Sequence, residues 1–522
     1  MLIKNATIID GTGSDRYAGD VRIEGDLIHE VGSKLKERKG EEVLDMEGRF
    51  LTPGFVDILN HADAHFTLFT HPSQNALVRQ GVTTMLVGHC GASLAPLVQG
   101  KAISAIQKWT DLTGININWH SMQEFLDELV RRPLRLNVGT LVGHTTLRRG
   151  LVGDEFRPLH LDELEQMEYL LTQSLEAGAF GLSLGLEYSH AKIAPREEIE
   201  MLVRLVQQHA GLVTVHLRNE SADLTDAVEE VIQLGQKTGA SIHISHFKAM
   251  GKGSWQQFTK VLARIDEARR AFSLTFDSYP YTRTASVFYS FLPQWVAEGG
   301  KHALLARLRD KEIRERIMRE MRENHAMYEN MIIASGRINP VFAGKTFGEI
   351  AHNQGISVEE VALNILLAAE DRLTVFTETI HEENLRKIFE HPACFVGSDA
   401  TGDEKNAQAN GYLTHPRSFG AFPRFFAEYV REKQLLSWEK AIAKVSLEPA
   451  QKIGLERRGR IAEGWYADIL ALDPKRIKDR ATFEMPYQYA EGIDYVWVNG
   501  HMALRKEKTT KGRHGKVLRK AI

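Results

Sequence analysis

The sequence predicts an α/β fold: a (β/α)8 barrel carrying a small β-sandwich formed by both chain termini. Three observations lead there. Strand-like and helix-like segments alternate through the middle of the 522 residues, the pattern of a parallel sheet with helical crossovers. Several of these strands end in polar residues, and the C-terminal rim of such a barrel is where chemistry is carried. Both ends of the chain instead show short strands separated by turn residues. An open doubly wound sheet is the alternative, but no Gly-rich phosphate loop accompanies the strands.

Residues 2–9 are a strand-like run that stops at Asp10-Gly11, a turn signal. Residues 20–24 alternate and are followed by Gly25-Asp26. Residues 467–472 and 495–500 have the same texture, so residues 1–52 and 456–522 are expected to pair and bury faces that neither end buries alone. Residues 53–455 form the expected barrel. Its β-like runs include 83–87, 136–142, 211–215 and 241–245. Residues 161–177 show apolar positions at helical spacing, and 197–208 and 223–238 also predict helices. From about 285 to 347 the rhythm breaks, and 307–324 is charge-dense. This segment is expected to be an insertion at the barrel mouth, either a lid or a peripheral helical decoration.

The length implies two or three domains. A formal net charge of −3 gives no electrostatic case for nucleic acid or an anionic membrane. The basic tail, 505–520, is expected to be a solvated terminal segment. No apolar run reaches the length of a membrane span, and the first residues lack the apolar core of a signal peptide. The chain is expected to be cytoplasmic. Two cysteines, Cys90 and Cys394, argue against a disulfide framework. Nothing in the sequence specifies an oligomeric state.

Candidate chemistry gathers where predicted strands end. Cys90 follows an apolar strand within Gly88-His89-Cys90-Gly91; it is either a small buried hydrophobe or a thiolate zinc ligand. His216 and His246 each follow a strand. Together the three make a Cys-His-His set that leaves a coordination position open, as catalytic zinc requires. Asp399 closes Phe395-Val396-Gly397-Ser398-Asp399; it is a helix cap or a carboxylate that moves a proton. Arg417 can grip a substrate carboxylate bidentately, and Lys248 and Tyr279 can assist. Arg283 can meet an acidic substrate side chain, with a surface role the alternative.

The segment Pro53-Gly54-Phe55-Val56-Asp57-Ile58-Leu59-Asn60-His61 resembles the metal-binding opening of the amidohydrolase superfamily. The ordered set Gln80-Gly81-Val82-Thr83-Thr84, Gly88-His89-Cys90-Gly91, Gly143-His144, Gly185-Leu186-Glu187-Tyr188, Ser245-His246-Phe247-Lys248, Tyr279-Pro280-Tyr281, Gly397-Ser398-Asp399 and His415-Pro416-Arg417 resembles its D-aminoacylase branch. The resemblance implies a barrel with a small β-sandwich and zinc held by Cys90, His216 and His246. It implies Asp399 as general base and acid, and Arg417, Lys248 and Tyr279 on the substrate carboxylate. The implied reaction is hydrolysis of an N-acyl-D-amino acid.

Two positions depart from the branch. Its first barrel strand ends in His-x-His, and here Leu59 stands in the first place, leaving His61. One tight zinc is therefore expected, with His61 a partial ligand of a doubtful second site. A shifted register would instead put His61, Asp63 and His65 on one strand face; the anchor at Pro53 to Asp57 favours the unshifted one. His89 stands where asparagine is more usual, and is expected to face the packed side of the barrel. A hydrolase of cyclic amides or of dipeptides ending in a D-residue is the second functional reading, and a catalytically silent binding or scaffold relative the third.

Overall fold

The computed structural model describes residues 1–98, 117–153 and 155–521. Eight parallel strands are arranged in chain order: β1 (Phe55–Asp57), β2 (Val82–Val87), β3 (Asn137–Thr140, resuming at Val142–Gly143), β4 (Gly181–Gly185), β5 (Leu212–His216), β6 (Ser241–Ile244), β7 (Leu274–Ser278) and β8 (Cys394–Val396). The barrel closes between β8 and β1. There the Ser398 N–H donates to Asp57 Oδ1 at 2.8 Å, the Asp399 N–H donates to the Leu59 carbonyl at 2.9 Å, and Asn60 bridges Ala400 in parallel.

The crossover helices follow their apolar spacing. Leu161–Glu176, Arg196–Gln208 and Leu224–Thr238 bury stripes such as Ile199, Leu202, Val203 and Val206. These stripes join one large core with the barrel strands.

Both termini meet in a nine-stranded sheet. Its seam is the antiparallel pairing of Phe50–Pro53 with Ile469–Leu472, from Ile469 opposite Pro53 to Leu472 opposite Phe50. Its apolar face mixes Ile3, Ile8 and Val21 with Ile469, Ala471 and Trp497. Asn137, at the start of β3, ties this sheet to the barrel. It donates to Asp468 Oδ2 at 3.1 Å and accepts from Asn499 Nδ2 at 2.8 Å. All three side chains are buried. Asn137→Ala removes these two bonds and the one that Oδ1 accepts from the Lys516 N–H at 3.0 Å, so it is expected to cost about 1–3 kcal/mol of stability, read as a lowered thermal midpoint. An unchanged midpoint would show the junction to be dispensable.

The basic tail keeps most of its charged side chains exposed, as expected, but its backbone is docked. The first half of β3 lies beside β2 but does not reach β4, so its other edge needs partners. The tail supplies them. Val138 N–H donates to the Lys516 carbonyl and accepts at its own carbonyl from Leu518 N–H, at 2.9 and 2.8 Å. Lys520 N–H then reaches the Gly178 carbonyl at 2.9 Å.

The expected insertion at about 285–347 lies within a longer excursion between β7 and β8. Arg283–Val287, Leu373–Glu378 and Ile332–Gly336 form a separate three-stranded antiparallel sheet. A core of its own runs from Phe288 through Leu308, Ile317 and Phe347 to Val375. The charge-dense stretch is two helices, Gly300–Arg309 and Lys311–Met321, separated by Asp310, whose Oδ1 caps the second.

Candidate active site

Turns at the strand ends aim the site. Cys90, His246 and Asp399, just beyond β2, β6 and β8, have φ of 55°, 37° and 49°. Left-handed backbone is disfavoured for residues with a Cβ and gathers at functional sites. Gly88, at φ 85°, begins the turn to Cys90; a Cβ there would meet the Leu141 carbonyl oxygen at 2.4 Å. Only glycine allows that approach.

The turns bring Cys90, His216 and His246 together, with donor atoms within 4.8 Å of one another. Cys90 Sγ lies 3.4 Å from His246 Nε2. Each histidine is held by a carboxylate on its other nitrogen. Glu220 Oε1 is 3.0 Å from His246 Nδ1, and Glu187 Oε2 is 2.8 Å from His216 Nε2. This leaves His216 Nδ1 buried without a hydrogen-bond partner. A thiolate, two carboxylate-backed imidazoles and an orphaned ring nitrogen fit a zinc ion. Burial alone would raise the Cys90 thiol, but His246, His216 and His61 hold it well below the usual thiol range.

Asp399 stands across from this cluster. Its Oδ1 lies 3.1 Å from His61 Nε2 and its Oδ2 2.8 Å from Arg417 Nη2. Burial would raise its pKa; Arg417 and His61 hold it well below the usual carboxylate range. Arg417 also donates through Nε to the Asp399 carbonyl at 2.8 Å. Two of its donors are thus engaged, and Nη1 is buried without a partner. Of its three nitrogens, Nη1 with its two N–H groups is therefore the one left without a protein partner to meet a substrate. The Arg417 guanidinium lies 4.6 Å over the Tyr279 ring, and Lys248 pairs with Glu220. All three line one cavity of about 1950 Å³ with Cys90, His216, His246 and Asp399. Tyr289, Phe291 and Glu298 of the excursion form part of its wall.

Residues 42–503 match the family described as the amidohydrolase family. The chain belongs to it. It is 31% identical over 522 residues to the N-acyl-D-glutamate deacylase of Alcaligenes xylosoxydans xylosoxydans, covering 100% of this chain and 96% of the relative. It is 31% identical over 520 residues to that organism's N-acyl-D-aspartate deacylase, covering 99% and 94%. The N-acyl-D-glutamate deacylase of Bordetella bronchiseptica, solved with zinc and a phosphonate mimic of the tetrahedral intermediate, is 30% identical with a TM-score of 0.84 over 99% of each chain. A D-aminoacylase studied for its binuclear metal centre, with activation by one metal and attenuation by a second, is 28% identical with a TM-score of 0.83 over 99% of each chain.

Against these amidohydrolases the departures take a definite shape. His61 faces Asp399 and Cys90, whose Sγ is 3.8 Å from its Nε2. That is the unshifted register; Asp63 does not line the cavity, though His65 does. Leu59 is fully buried, and a Cβ on Gly397 would meet its own Cβ at 3.0 Å. His89 is fully buried as expected, yet its ring stands edge-on to His61, with centres 6.2 Å apart. Arg283 is engaged by Glu378 at 3.0 Å and lies over Phe483. Glu187 and Glu220 were not singled out by sequence reasoning. The available signal was an acidic residue shortly after a strand end, in Gly185-Leu186-Glu187 and Leu217-Arg218-Asn219-Glu220. Among the described residues no helix is long and apolar enough to cross a membrane.

Proposed function

We propose that this chain is a zinc-dependent deacylase that hydrolyses N-acyl-D-amino acids to a carboxylate and a free D-amino acid. The carrying observation is the convergence of Cys90, His216 and His246 beside the Asp399–Arg417 pair in one cavity. Cys90, His216 and His246 would hold one zinc tightly, with His61 at the edge of a second, weaker position. When bound, zinc supplies Lewis acidity toward the scissile carbonyl. Asp399, kept ionised by Arg417 and His61, takes a proton from the attacking water as its oxygen bonds to the acyl carbon. It returns that proton to the nitrogen as the C–N bond breaks. Arg417 Nη1, the Lys248 ammonium and Tyr279 orient the substrate carboxylate, and with it the D-configured carbon.

The relatives at 31% identity act on D-glutamate and D-aspartate derivatives, which supports an acidic side chain on the substrate. Assay of N-acetyl-D- and L-amino acids, cyclic imides and D-dipeptides checks the reading. Turnover is expected for the N-acetyl-D-amino acids, with the D-glutamate and D-aspartate derivatives foremost. Hydrolysis confined to imides would favour the cyclic-amide reading. No turnover of any of them by zinc-loaded protein would favour a silent relative.

A further inference from the structure

An N-acyl amino acid has two ends, a carboxylate and an acyl group, and the barrel offers them opposite sides of its mouth. Lys248, Tyr279 and Arg417 come after β6, β7 and β8, while Cys90, His216 and His246 stand at the ends of β2, β5 and β6. The strands pair in chain order, so the end of β4 lies across the mouth from the end of β8. With its carboxylate on Arg417 and its carbonyl at the Cys90–His216–His246 cluster, such a substrate extends its acyl group toward β4. The amino-acid side chain branches off midway.

The wall beyond β4 is apolar. Tyr188, shortly after β4, sets its ring 4.9 Å from that of His216. Phe156 stacks on His190 of the same loop at 4.6 Å, and a Cβ on Gly300 of the excursion would meet the Phe156 ring at 2.6 Å. Ile193 closes the loop. It is 37% exposed, and of the large apolar side chains exposed among the described residues it alone borders the cavity. Tyr289, Phe291 and Leu292 line the cavity from the excursion. Lys192 and Glu298 bring opposite charges to the same rim. The cavity of about 1950 Å³ is roughly twice the upper end of the 300–1,000 Å³ usual for small-molecule sites. An acetyl group leaves most of this wall against water, and an acidic side chain gains nothing from it. We infer that the wall is an acyl subsite, and that the preferred substrates are N-acyl-D-amino acids carrying a medium-length alkyl acyl group. This rests on the deacylase reading above and adds the acyl class to it.

The test assays zinc-loaded full chain with acetyl-, butanoyl-, hexanoyl- and octanoyl-D-glutamate. Each buried methylene is worth roughly three-fold in binding, so kcat/KM is expected to rise at least ten-fold from acetyl to octanoyl. The gain should appear chiefly in KM, because the chain is gripped alike before and during the reaction. Ile193→Asp puts a carboxylate on the wall and should bring the octanoyl-to-acetyl ratio of kcat/KM close to one. Reading a ratio within each protein cancels any general loss of activity, and the wild-type series stands without the variant. Equal kcat/KM for acetyl and octanoyl in wild type, or a ratio untouched by Ile193→Asp, overturns the inference. Hydrolysis of none of the four would instead overturn the deacylase reading beneath it.

Discussion

Asp399→Asn is expected to lower kcat roughly 10²- to 10⁴-fold, the range that a general acid–base group supplies, while tight zinc stays at one per chain. The argument runs through geometry. Asp399 sits at the end of β8 with one oxygen toward His61 and the other on Arg417. An asparagine there still accepts a hydrogen bond from Arg417 but cannot take a proton from water. The Cys90–His216–His246 cluster does not include Asp399, so metal content should be unchanged. Turnover near wild type in a zinc-replete variant would mean that another group moves the proton.

The second large effect concerns Cys90. Removing one ligand from a site of three should weaken zinc by about 3 kcal/mol, roughly a hundred-fold, taking a total of about 10–16 kcal/mol spread over the ligands of such sites. Cys90→Ala should therefore purify with little zinc and little activity, and excess zinc should restore part of the activity. Competition with a chromophoric chelator measures the affinity. A Cys90→Ala protein that keeps its zinc at wild-type affinity would return Cys90 to the role of a small buried side chain.

These two residues also show what was legible. Cys90 and Asp399 both follow short apolar strands in the sequence, and strand ends on one rim of a parallel barrel converge whatever the intervening helices contain. Helix spans such as Arg196–Gln208 were readable because their periodicity is local. The excursion was harder to delimit. Arg283–Val287 finds its partner in Leu373–Glu378, and antiparallel pairing over such a separation leaves no local mark. The tail was only half legible for a related reason, since its charged side chains are mostly exposed but its backbone is docked. Its charge suggested solvent, whereas the unpaired edge of β3 claims its backbone. Backbone satisfaction does not depend on side-chain polarity.

The sequence by itself determined the barrel, the union of the two termini, the amidohydrolase membership and the candidate triad of Cys90, His216 and His246. Each depends on local spacing or on an ordered set of short motifs. Only the tertiary structure decided which nitrogen of each histidine is backed by Glu187 or Glu220, and that Arg417 spends two donors on Asp399. It also decided that His89 presents an unpartnered ring beside His61. These are contacts between separate strand ends, set by barrel closure and by the turns that follow. A sequence names the groups that can coordinate or move a proton. Which of them are already satisfied, and which are left facing the cavity, depends on packing across the whole barrel.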